Sequence, residues 1–132
     1  MAISWVGVVL ASIFTMVIGA VWYGPLFGKE WKKAMDVSEK DVVEKGMWKL
    51  YAIAFVNSLM MMMVLALFVS LSAGDSMTGA LQIGFWIWFG FLLTQQISAF
   101  VWSKNHNALL LLINGGYWLI VALGSAFFVS VF

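Results

Sequence analysis

Four stretches of this chain carry no Asp, Glu, Lys or Arg: residues 2–24, 50–73, 77–103 and 108–132, approximately. Each is longer than the ~20 residues an α-helix needs to cross the hydrocarbon core of a bilayer. Between them they take up most of a 132-residue chain that is 64% hydrophobic and 10% charged. A water-soluble domain holds about 25% charged residues. Too few polar side chains are present to clothe a water-facing surface, so the expected solvent is lipid. The expected fold is all-α: one domain over residues 1–132, with four transmembrane helices in an antiparallel bundle. The first stretch lacks a basic leader and is too long for the apolar core of a cleaved signal peptide, so it is read as a span.

Charge gives the sidedness. Lys29, Lys32, Lys33, Lys40, Lys45 and Lys49 fall in the first connection and Lys104 in the third, whereas the second carries only Asp75. By the positive-inside rule the first and third connections are cytoplasmic and both termini face out. The expected location is the inner membrane of a bacterium. The short second and third connections make consecutive spans neighbours. The first connection, 25–49, is long enough for structure of its own. Phe27, Trp31 and Met35 recur every fourth residue while Lys29, Lys32 and Lys33 point elsewhere, which predicts a short amphipathic helix in the headgroup layer. Ser38 and Asp41 resemble a capping box, from which a new helix is expected to run past Trp48 into span two, with Gly46 as a bending point.

Where span one meets this connection the sequence reads WYGPLFGKEW, residues 22–31. Trp22 and Tyr23 suit the aromatic belt at a membrane surface. Pro25 disfavours helix at Gly24 and has no backbone N–H, so a break or turn is expected there. Leu26, Phe27 and Trp31 keep the chain against lipid, and Gly28 precedes the first charges. The segment is either a membrane-exit elbow alone or an elbow that also contacts a headgroup or partner.

Taken with a second segment, the elbow carries a resemblance. The chain resembles the bacterial membrane family called domain of unknown function 1761, which shows W-Y-s-P-x-F-G-x-x-W after its first span. That family's glycine-containing third span and leucine-rich I-N-x-G-Y entry to the fourth are matched by WFGF at 88–91 and LLLLINGGYW at 109–118. At the end of span three this chain has SKNHN, residues 103–107, where charged residues are common in the family. The resemblance covers essentially the whole chain and implies a four-span membrane protein. It implies no activity.

Association in lipid rests on close backbone approach and interhelical hydrogen bonds. Small residues recur four apart on every span: Gly7, Ala11, Thr15 and Gly19; Ala54, Ser58, Ala66 and Ser70, a row interrupted by Met62; Gly90, Thr94 and Ser98; Ala122, Ala126 and Ser130, with Gly116 and Gly124 on a neighbouring row. Such rows pack helices within one chain or between copies. A polar set, Asn57, Gln95, Gln96 and Asn114, is expected at one depth, about 10 Å below the cytoplasmic interface, with Thr15 and Tyr117 slightly deeper. Bare amides in hydrocarbon cost several kcal/mol. These should therefore bond one another as interhelical glue, or line a wet passage for a solute or ion. Trp86, Trp88, Tyr117 and Trp118 are expected inside the bundle, and Met60–Met63 as packing and lipid contact.

No cysteine is present, His106 stands without companions, and no span holds a carboxylate. That leaves no expected metal, cofactor or catalytic set, and disfavours proton-coupled export and enzymatic activity. A net charge of +1 points away from nucleic acid. The expected partners are membrane lipids and either further copies or another membrane protein. The expected role is an oligomeric or accessory helix-packing subunit, the alternative being a passive channel or carrier through the amide layer.

Overall fold

The structure, a computed structural model, describes residues 3–35, 47–72, 76–102 and 108–132. The Ser38–Asp41 cap, Gly46, Asp75, Lys104 and His106 lie outside the described residues. Among those described the chain is helical and holds no strand. In order come α1 (Trp5–Val21), a wide π-helical turn (Trp22–Leu26), α2 (Gly28–Met35), α3 (Met47–Ser72), α4 (Met77–Ile87), a second wide turn (Trp88–Leu92), α5 (Leu93–Val101) and α6 (Ala108–Val131). Four helical stretches are long and apolar enough to cross a membrane: Trp5–Leu26, Trp48–Ser72, Met77–Val101 and Ala108–Val131. This is the architecture of a multi-pass membrane protein.

Local chemistry sets the helix starts. Ser4 caps α1 by accepting the Gly7 N–H at 3.0 Å, and Ser76 caps α4 by accepting the Gly79 N–H at 3.1 Å. Both serines have extended backbone and satisfy a donor the first helical turn leaves free. α3 runs unbroken from Met47 through Lys49 into the span, as expected of the last part of the first connection.

α6 lies at the centre of the packing: α1, α3 and the α4–α5 span all contact it, and α3 also touches α1 and α4. Two glycines bring backbones together. A β-carbon on Gly7 would lie 2.8 Å from both the Phe128 carbonyl oxygen and the Val129 Cα, and one on Gly84 would lie 2.7 Å from the Ala122 oxygen. Gly7 beside Phe128, and Gly19 beside Tyr117, show that α1 and α6 run in opposite directions. The core between them holds Val8, Ala11, Val121, Ala126 and Val129, with Met62, Leu65, Ala66 and Val69 from α3.

The small-residue rows therefore work within the chain for α1 and α6. Ala11 and Thr15 are buried, Gly19 faces the Tyr117 hydroxyl, Gly116 faces the Trp22 ring and Gly124 faces the Phe14 ring. The row on the third span does not. Nothing lies within 4 Å of a β-carbon on Gly90, and Thr94 and Ser98 are exposed with it. Gly84, with Ala80 four residues before it, is the glycine that packs this span. Trp86 is also outside the bundle at 63% exposure. It follows Gly84 by two residues, and two helical residues turn through about 200°, so it faces away from α6.

Replacing Gly7 with leucine is expected to cost about 1–3 kcal/mol, because backbone rather than a movable side chain stands in the way. Gly90→Leu should leave the stability of the detergent-solubilised monomer within about 0.5 kcal/mol. Equilibrium unfolding of the two variants checks the contrast.

Candidate functional site

The elbow is built by a widened turn. Proline has no N–H and its ring crowds the carbonyl four residues back, here that of Val21. The chain does not break at Gly24–Pro25. It loosens into an i to i+5 pattern, in which the Phe27 N–H donates to the Trp22 carbonyl at 2.9 Å. The last helical residue is Leu26, two beyond the Gly24 at which the sequence predicts the break, and Phe27 takes a non-helical conformation. α2 starts at Gly28, where a β-carbon would sit 2.7 Å from the Tyr23 carbonyl oxygen, so a side chain there would force the fold-back apart. α2 carries Trp31 half-buried, with Lys29, Glu30 and Lys33 exposed.

Folding back in this way pairs the elbow's aromatics. Trp22 and Phe27 have ring centroids 4.8 Å apart, and Tyr23 and Trp31 5.4 Å. Tyr23 also meets Tyr117 of α6 at 5.2 Å. These are the separations at which tilted and edge-on rings attract.

The polar edges of the same rings reach α6. The Trp22 indole Nε1–H donates to the Ile113 carbonyl at 2.8 Å, and the Tyr23 hydroxyl donates to Asn114 Oδ1 at 2.6 Å. From the other side of α6, Trp88 Nε1–H donates to the Gly115 carbonyl at 2.9 Å. Tyr117 returns a bond to α1, its hydroxyl donating to the Thr15 carbonyl at 3.1 Å. The Thr15 hydroxyl is turned back on its own helix, donating to Ala11 at 2.8 Å. A helical side chain covers the turn preceding its own Cα. Position 116 would thus shade the Ile113 carbonyl. As glycine it leaves that oxygen bare, and the Trp22 ring fills the space, 3.2 Å from where a β-carbon would be.

WYGPLFGKEW, WFGF and LLLLINGGYW, scattered along the sequence, thus meet at one place around residues 113–117. Trp22, Tyr23, Trp88 and Tyr117 each commit a donor to this crossing, which makes it a latch: it fixes the elbow, α1 and the second wide turn to a single stretch of α6.

The amide set is only partly drawn in. Asn114 is half-buried and held by Tyr23. Gln96 is half-buried, while Gln95 and Asn57 are exposed. No hydrogen bond joins one of these four amides to another among the described residues. Gln95 and Asn114 each lie six residues from a helix end, roughly 9 Å, and Asn57 lies seven residues beyond Leu50, where the charge-free part of α3 begins, roughly 10 Å. Sequence reasoning missed Trp88 as a donor to α6, although its WFGF segment stood out, and it missed Gly84, which the Ala80–Gly84 spacing could have flagged.

The family model described as "Protein of unknown function (DUF1761)" matches residues 6–130. No curated protein and no solved structure matches the chain.

The latch predicts an energetic coupling. In a double-mutant cycle of Tyr23→Phe and Asn114→Leu, the interaction energy should be about 0.6–2 kcal/mol. Ring packing against Tyr117 and Trp31 is kept in Tyr23→Phe, so unfolding measurements isolate the hydrogen bond.

Proposed function

We propose, for a chain that belongs to the DUF1761 family, a non-catalytic role as a helix-packing subunit of the bacterial inner membrane that associates through its third span. One observation carries this reading: the outward face of that span is unsatisfied. Only 11% of its most apolar stretch is buried, against 28%, 28% and 33% for the other three. Gly90 has open space beside it, and Thr94, Gln95 and Ser98 are exposed on the same span. Thr94 bonds back to the Gly90 carbonyl at 2.8 Å, so its hydroxyl is provided for. The Gln95 carboxamide makes no hydrogen bond among the described residues. A bare amide facing lipid costs several kcal/mol. A neighbouring helix that approaches closely at Gly90 and bonds Gln95 removes that cost, and a carboxamide is both donor and acceptor, so a second copy can supply the bond.

A passage through the amide layer has less support, because Asn57, Gln95, Gln96 and Asn114 do not converge within one chain and Asn114 is occupied by Tyr23. The lysine-bearing elbow and α2 are placed at the cytoplasmic surface, by the charge asymmetry of the connections.

Fluorescence energy transfer between labelled copies in liposomes tests the association. Gln95→Leu and Gly90→Leu should each weaken it by roughly five- to thirtyfold, for an interhelical contact of about 1–2 kcal/mol, while the unfolding of each monomer is unchanged. Transfer unaffected by both substitutions removes this face as the interface. Sidedness is read separately. The chain has no cysteine, so Lys33→Cys introduces a single thiol, which a membrane-impermeant maleimide should reach only from the cytoplasmic face.

A further inference from the structure

A recess of about 500 Å³ opens sideways between α3 and the second wide turn, with part of α6 as its floor. Its walls include Met61, Leu65 and Phe68 of α3, Phe91 of the wide turn and Val121 of α6, and its one polar lining residue is Asn57. The volume lies within the ~300–1,000 Å³ usual for ligand sites. Along α3 the recess runs from Asn57 to Phe68, eleven residues or roughly 16 Å at the helical rise. A length of roughly 16 Å, lined by apolar side chains everywhere but at Asn57, suits one hydrocarbon chain lying along α3.

Asn57 narrows the chemistry further. Its carboxamide makes no hydrogen bond among the described residues, and it closes the end of an otherwise apolar slot. Its depth, seven residues or roughly 10 Å along α3 from Leu50, where the charge-free stretch begins, is below the headgroups. An occupant that leaves this amide bare keeps the several-kcal/mol cost of an unsatisfied group; one that brings a hydroxyl or carbonyl to its level removes it. No cationic side chain lines the slot, so a phosphate or carboxylate at that depth would be uncompensated. We propose that this recess is a binding site for an uncharged membrane lipid, one hydrocarbon chain lying along α3 and a hydroxyl or carbonyl bonded to Asn57. The methionines suit such a chain, since their side chains adapt to irregular apolar shapes.

The proposal is independent of association through the Gly90–Ser98 face and is tested on the full chain in lipid nanodiscs. The probe is a diacylglycerol with a diazirine on its acyl chain, cross-linked by light and mapped by mass spectrometry. Labelling should concentrate on Met61, Leu65 and Phe91, compete with unlabelled diacylglycerol, and resist an equal excess of anionic phosphatidylglycerol. Asn57→Leu should lower it roughly tenfold. Val64→Trp, at an exposed position on the rim, should lower it by blocking the slot, and both variants should keep wild-type unfolding midpoints. Labelling spread evenly over lipid-facing residues such as Val6 and Phe127 would overturn the site, as would Val64→Trp without effect. Equal competition by phosphatidylglycerol, or full labelling of Asn57→Leu, would overturn the assignment to an uncharged polar lipid.

Discussion

The structure depends on one stretch of helix acting as acceptor for its neighbours. In lipid there is no water to satisfy a stray N–H or O–H, and apolar surface gives helices no reason to prefer each other over acyl chains. What holds α6 against α1 and the third span is close backbone approach at Gly7 and Gly84, and side-chain donors of the elbow and the third span that bond to acceptors on α6. Carbonyl oxygens have a second lone pair beyond the one used in the helix. Trp22 and Trp88 take the Ile113 and Gly115 oxygens from two sides, two residues apart. An apolar sequence can make interhelical bonds this way without placing charged groups in the membrane.

Both indoles occupy the first position of a widened turn, Trp22–Leu26 and Trp88–Leu92. A π-helical turn adds one residue to the ladder, so side chains after it are rotated by about 100° relative to the pattern before it. At the elbow this accommodates Pro25 and swings α2 back over the aromatic cluster. In the third span it separates two faces. Gly84 and Trp88, up to the turn, are committed to α6; Gly90, Thr94 and Ser98, in the turn and after it, look outward.

That phase shift explains much of what was and was not legible in the sequence. Span number, the elbow and the amphipathic helix over Gly28–Met35 follow from charge, length and aromatic placement, and those signals are local. The resemblance carried by WYGPLFGKEW and LLLLINGGYW marked the two segments that form the latch, but not that they touch. Which amide pairs with which group depends on the register of α1 against α6, set by Gly7 beside Phe128 and Gly116 beside Trp22. Registers of that kind are tertiary facts. Asn114 therefore meets a tyrosine instead of another amide. A row of small residues read at constant helical period across Trp88–Leu92 could not reveal that the widening had turned it away from the bundle.

The same widening leaves the molecule with two unlike halves. On the α1–α6 side, tryptophan, tyrosine, threonine and asparagine side chains find partners inside the chain, and small residues meet backbone or rings. On the α3–α5 side, the wall made by Phe91 and Leu92 stands off from α3 and leaves a slot; Asn57 at its end and Gln95, on the separate open face with Thr94 and Ser98, make no side-chain hydrogen bond among the described residues. In water, exposed amides like these would be unremarkable, since solvent would satisfy them. In hydrocarbon each is a standing cost of several kcal/mol, large against the ~5–15 kcal/mol by which folded chains are stable. The α1–α6 half meets its needs inside the chain except at Ser125 of α6, whose fully buried hydroxyl has no hydrogen-bond partner among the described residues and is out of reach of lipid. The half with the slot and the open face is where lipid or another helix gains free energy by arriving, and function on this fold is therefore to be sought around the Trp88–Leu92 turn.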